Sequence, residues 1–61
     1  MFVVFRDDGN GSYFSEEHNI GPTNLGKLAE LANDPCVLSA VEVENGDIEG
    51  AKIQAKRMAG L

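Results

Sequence analysis

The chain has 61 residues, which is enough for a single domain spanning 1–61, and a domain of this size buries only about 60% of the surface that its unfolded form exposes. Its ten acidic and five basic residues give a net charge of −5, so we expect it to repel nucleic acids and membrane surfaces and to be attracted to basic ones. Cys36 and His18 are the only residues of their types, which excludes an intrachain disulfide and a structural zinc site.

The first two predicted elements form a β-hairpin. Met1 to Phe5 is an apolar run of β-branched and aromatic residues, and Asp7 to Ser12 is rich in turn residues. The second strand is expected at about 11–15. Residues 15–23 are interpreted as a loop containing His18, in which Ser15-Glu16-Glu17 could form one capped helical turn. Because the apolar run is too short for a signal peptide or a membrane span, we expect a cytoplasmic protein.

A helix and a third strand follow. Apolar residues recur at helical spacing from Leu25 to Ala32, with Pro22 suited to the first turn and Asn33-Asp34-Pro35 ending the helix. Val37 to Glu44 is predicted as a strand, because Val41 and Val43 alternate with Glu42 and Glu44 in its second half.

The last segment, 47–59, has two interpretations. It could be a fourth strand paired through Asn45-Gly46, or a helix capped by Asp47. Good helix formers and the basic pair Lys56-Arg57 near the end favour the helix, although Gly50 in its first turn weakens it.

These elements predict an α+β fold of order ββαβα, with a three-stranded antiparallel sheet and two helices. Since each helix has one apolar stripe, we expect both to pack on one face of the sheet. One apolar pair of Phe2-Val3-Val4-Phe5 would then point away from the helices. That pair would form a partner or dimer interface, or be covered by Arg6, Tyr13 and neighbouring side chains.

The sequence shows no pattern typical of catalysis or metal binding. His18 has no serine or cysteine at a motif-defined position. The segment from Asp8 begins like a calcium loop, but Tyr13 stands where glycine is needed and Asn19 where a bidentate glutamate is needed. We therefore predict a non-enzymatic protein with no metal and no cofactor.

The candidate partner-binding residues are carboxylates at positions expected to be exposed. They are Asp7, Asp8, Glu16, Glu17, Glu42 and Glu44. All ten acidic residues lie within 1–49, against Arg6 and Lys27, a net charge of −8 for that part of the chain. If the hairpin turn and the third strand share an edge of the sheet, these groups form one negative surface; otherwise they are an ordinary solvated exterior.

In size, acidity and lack of enzyme motifs the whole chain resembles the small inhibitors of phages and mobile elements, the anti-CRISPR proteins in particular. The resemblance implies a target among the subunits of a CRISPR surveillance complex, with Asp7, Asp8, Glu42 and Glu44 as candidate contacts.

The expected function is a protein-binding inhibitor or modulator, monomeric or a weak homodimer, whose acidic surface docks on a basic nucleic-acid-binding groove and which does not bind nucleic acid itself. The alternative is a small structural or assembly protein that homo-oligomerises through its N-terminal strand face.

Overall fold

A computed structural model describes all 61 residues and confirms the α+β fold and the order ββαβα. The strands are β1 (Phe2–Asp7), β2 (Tyr13–His18) and β3 (Val37–Glu42). The helices are α1 (Leu25–Ala32), preceded by a 3₁₀ turn at Pro22–Asn24, and α2 (Ile48–Met58). Neither helix combines the length and the apolarity needed to cross a bilayer.

β1 is the central strand of the antiparallel sheet, whose order is β2-β1-β3. Val4 lies opposite Glu16 on β2 and Ala40 on β3. The pairing of β1 with β3 shifts between Phe5 and Arg6, so the first residues of β3 are out of step with the rest. β2 and β3 each keep one edge without a neighbouring strand.

The two helices cover opposite faces of the sheet, and the prediction that both pack on one face is wrong. Val3 and Phe5 pack with Val41 of β3 and with the α2 residues Ala51 and Ala55. Val4, which points the other way, packs with two other buried side chains, Ile20 before α1 and Leu31 within it. The cause is the composition of β1: a central strand that is apolar on both faces requires an apolar cover on each.

The expected uncovered apolar pair of β1 is therefore absent. Val3 and Val4 have no accessible surface and Phe5 is 7% exposed. Since these residues are buried within one chain, the observation that favoured homo-oligomerisation through the N-terminal strand face no longer supports it.

Two strand boundaries differ from the prediction. β2 continues to His18, so Ser15–Glu17 is strand and His18 is its last residue, not part of a loop. This strand is stabilised by backbone hydrogen bonds with β1. Its polar side chains show no apolar alternation, so the sequence pattern did not indicate a strand. β3 ends at Glu42, before Glu44, whose carbonyl accepts a turn hydrogen bond from the Asp47 N–H at 3.0 Å.

α2 is the helix that the composition of the last segment favoured. The Asp47 side chain caps it by accepting a hydrogen bond from the Gly50 N–H at 3.0 Å. On the sheet side, the Ser39 hydroxyl donates to the Ala55 carbonyl at 2.6 Å. The Ser39 contact holds α2 alongside β3, and the groove described below lies between these two elements.

The covered faces can be tested by truncating one residue on each. We expect Val3→Ala and Val4→Ala each to lower the free energy of unfolding by about 2 kcal/mol, because each removes buried methyl groups and leaves a cavity. Leu38→Ala, at a site that is 40% exposed, is the matched control and should change it by less than about 0.5 kcal/mol. Urea titration measures all three, and a Val4→Ala variant as stable as the control would show that the α1 face is not packed.

Gly50 lies so close to the Asp47 cap that the two residues should be coupled. A Cβ atom at position 50 would overlap the Asp47 carboxylate. Asp47→Ala should cost about 1 kcal/mol through loss of the cap. Gly50→Ala should not raise the free energy of unfolding of the wild type. In the Asp47→Ala background, it should raise the free energy of unfolding by up to about 1 kcal/mol, because alanine has a higher helix propensity than glycine. Thermal or urea unfolding of the four variants gives the coupling, and additive effects would contradict the close approach.

Candidate functional site

The six predicted carboxylates do not form one surface. Asp7 and Asp8 lie at the hairpin end of β1, whereas Glu42 pairs with Phe2 at its other end. At about 3.3 Å per residue, the six-residue β1 separates the two groups by on the order of 17 Å. The hairpin turn and the end of β3 therefore present separate acidic groups.

Asp7 and Asp8 hold the hairpin turn together. An Asp7 oxygen accepts a hydrogen bond from the Gly9 N–H at 2.7 Å. One Asp8 oxygen accepts from the N–H groups of Asn10 at 2.7 Å and Ser12 at 3.2 Å. This is the local side-chain-to-backbone bonding that makes aspartate frequent in turns, so the turn geometry accounts for both residues.

Glu16 belongs to an internal ion-pair network. Arg6 bridges two carboxylates, with Nη1 2.8 Å from Glu16 Oε1 and Nη2 2.7 Å from Asp34 Oδ2. The hydrogen bond from Arg6 holds the pKa of Glu16 below its ordinary value of 4.5, against the opposing effect of burial. His18 Nε2, a buried atom without a hydrogen-bond partner, lies 3.6 Å from the same Glu16 oxygen. Glu16 is thus engaged within the chain.

Glu17 points to the opposite face of β2 from Glu16. It lies across from Val3, is exposed and forms no ion pair. β2 is separated from β3 by the central strand β1. Glu17 therefore lies apart from Glu42 and Glu44.

The structure does bring Glu42 and Glu44 together, in an open groove of about 510 Å³ between β3 and α2. The other lining residues are Ala40, Val41, Asp47, Gly50, Ala51, Gln54 and Met58. Glu42, Glu44 and Asp47 are exposed, and none of them is in an ion pair. The groove is therefore bordered by three carboxylates with no cationic partner in the chain.

Asp47 is the groove residue that the sequence analysis missed, because it was considered only as a helix cap. The available signal was local: Glu42, Glu44 and Asp47 flank the Asn45-Gly46 turn, whose residues have φ of 55° and 72°. Such a turn reverses the chain and brings side chains on its two sides together.

The groove offers carboxylate oxygens as hydrogen-bond acceptors. Cys36 and His18 are not among its lining residues, and no set of three or more cysteine, histidine or acidic side chains has metal-binding geometry. What such a groove can do is bind cationic or hydrogen-bond-donating groups.

The Arg6–Glu16 pair predicts an acid-sensitive contribution to stability. A depressed pKa in the folded state means that the pair stabilises the fold above the ordinary pKa of glutamate, and that this contribution is lost as the pH falls through the depressed value. We expect Glu16→Gln to flatten the decline of unfolding free energy between about pH 5 and about pH 2. Urea titrations across this range test it. Glu17→Gln, on the same strand, is the control and should retain the wild-type decline, and an identical decline in both variants would contradict the assignment.

No protein-family model, no curated protein and no solved structure matches the chain.

Proposed function

We propose that this protein is a non-enzymatic, cytoplasmic inhibitor or modulator that docks an acidic surface on the basic nucleic-acid-binding groove of another protein. The observation that carries the proposal is the β3–α2 groove, where Glu42, Glu44 and Asp47 have no cationic partner. Among the predicted contact residues, Glu42 and Glu44 become the centre of the proposed surface, and Asp47 joins them.

The charge of the whole chain supports docking on a basic surface. At a net charge of −5, the protein is attracted to a positive groove at long range, and local carboxylates then fix the orientation. Unpaired carboxylates present the same charge and acceptor chemistry to lysine and arginine as phosphate groups do. The protein would thus occupy a site that normally binds a nucleic-acid backbone.

A subunit of a CRISPR surveillance complex is the partner that we propose first. The resemblance to anti-CRISPR proteins in size, acidity and lack of enzyme motifs supports it. Such complexes hold nucleic acid in positively charged channels, which is the surface that an acidic groove would fit. Asp7 and Asp8 would lie at the margin of the contact, because they are at the opposite end of β1 from Glu42.

The acidic groove can be tested by charge reversal. We expect Glu42→Lys and Glu44→Lys each to weaken partner binding by about tenfold, because a reversed charge faces a basic surface. The measurement is capture of bacterial lysate proteins on the immobilised chain, followed by elution with duplex DNA and by rising salt, which screens such contacts.

Glu30→Lys supplies the matched control for this experiment. It makes the same change in net charge on α1, on the other face of the sheet, at a side chain that is 75% exposed. It should leave the DNA-eluted proteins in place. Two outcomes would contradict docking through the groove. In the first, neither duplex DNA nor salt elutes the captured proteins. In the second, all three variants lose the captured proteins to the same extent. Expression of the protein in a host with active CRISPR immunity, followed by phage infection, then tests the partner. A host that stays protected from the phage would exclude the CRISPR assignment.

A further inference from the structure

The outer edge of β3 presents free backbone groups. The Val43 N–H donates to the Met1 carbonyl at 2.9 Å, which sets the phase of the antiparallel ladder. Hydrogen-bonded and non-hydrogen-bonded pairs alternate in such a ladder, so Val41 and Ser39 bond β1. Ala40 and Glu42, opposite Val4 and Phe2, direct their N–H and C=O groups to the open edge.

The groove lies along this edge and leaves room for another chain. Ala40, Glu42 and Glu44 line it on the strand side, and Gln54 and Met58 of α2 line it on the helix side. The outer edge of β2 is also open, but no cavity lies beside it. β3 therefore combines free backbone groups with space for alternate side chains of an added strand, as peptide recognition by strand addition requires.

We propose that the groove binds an extended basic segment of the partner as a fourth strand of the sheet. The segment forms backbone hydrogen bonds with Ala40 and Glu42, and its lysine or arginine side chains meet Glu42, Glu44 and Asp47. This inference rests on the proposed function and specifies its contact: a flexible basic arm or loop of a nucleic-acid-binding protein.

The charge around the edge favours a basic segment over a second copy of this chain. Pairing two β3 edges would bring the same unpaired carboxylates of both copies into one interface, at a cost in repulsion. An incoming strand directs alternate side chains to opposite faces. Side chains on the α2 face of the added strand reach the groove and meet Glu44 and Asp47. Side chains on its other face lie beside Glu42, which is on the same face of the sheet as Phe2.

Removal of one outward N–H separates strand addition from simple charge attraction. Ala40→Pro lacks this donor, and proline is compatible with an edge strand where the N–H faces solvent. The probe is a short peptide of alternating lysine and threonine, with binding measured by fluorescence anisotropy at low salt. We expect Ala40→Pro to weaken peptide binding by about fivefold or more. Spermine, which has charge but no peptide backbone, should bind the variant and the wild type equally.

Two matched variants keep the test decisive. At the hairpin that joins β1 to β2, the Asp8 N–H donates to the Ser12 carbonyl at 3.1 Å, so the same alternation directs the Ser15 N–H to the outer edge. Ser15→Pro removes this donor and should leave peptide binding unchanged. Because Ala40 packs against the α1-side core, a synthetic chain with L-lactic acid at position 40 replaces the amide by an ester. This removes the N–H and keeps the Ala40 side chain, while the Ser39 carbonyl becomes a weaker acceptor toward β1. Circular dichroism verifies the fold, and the ester variant decides the result if Ala40→Pro is unfolded.

The outcomes distinguish this inference from the proposed function. Loss of peptide binding in the ester variant, with spermine binding retained, supports strand addition. Wild-type peptide affinity in that variant, together with loss in Glu42→Lys and Glu44→Lys, overturns strand addition and leaves acidic docking in place. Wild-type affinity in all of these variants, or no binding of the peptide by the wild type, overturns strand addition, and the lysate experiment then judges the docking alone. A homodimer detected by sedimentation and dissolved by the ester variant would assign the edge to a second copy instead.

Discussion

The apolar composition of both faces of β1 is the constraint on which the rest of the structure depends. A chain of this length has one small core, and here the sheet divides it into two thin layers that meet at Val3 and Val4. Each layer needs its own helix, so α2 is committed to one face and α1 to the other. Because β1 must be central to be covered on both faces, β2 and β3 become edges. The backbone groups of the sheet that remain without a strand partner therefore lie along these two edges.

The register of the sheet then determines which charges remain free. Arg6, on the face covered by α1, binds Glu16 from β2 and Asp34 from the segment after α1. This bridge joins β1 to β2 and to the segment after α1, and it uses two of the carboxylates. The turn uses Asp7 and Asp8. Three of the carboxylates that form no ion pair, Glu42, Glu44 and Asp47, lie together near the Asn45-Gly46 turn at the start of α2.

Local patterns sufficed for part of this structure and failed where distant contacts decide. The alternation in β3 and the charged ends of α2 are local signals, and both elements formed, although β3 ends at Glu42, two residues before its predicted end. The faces of the helices could not be derived in the same way, because each apolar stripe fits either side of a sheet whose central strand is apolar on both. The strand at Ser15–His18 is polar and derives from pairing with β1. The contact between Arg6 and Asp34 joins residues 28 positions apart, so no pattern within either segment indicates it.

Asp47 connects the stability of the fold with the proposed binding surface. Its Oδ1 accepts the hydrogen bond from Gly50, while Oδ2 takes part in no hydrogen bond within the chain, so the side chain can cap α2 and meet a cation at once. A strand added to β3 would also protect the edge that is now open. A ligand that binds only the folded state stabilises it in proportion to its concentration and affinity. For a domain with so small a core, association at this edge would therefore contribute to the stability of the fold as well as to recognition.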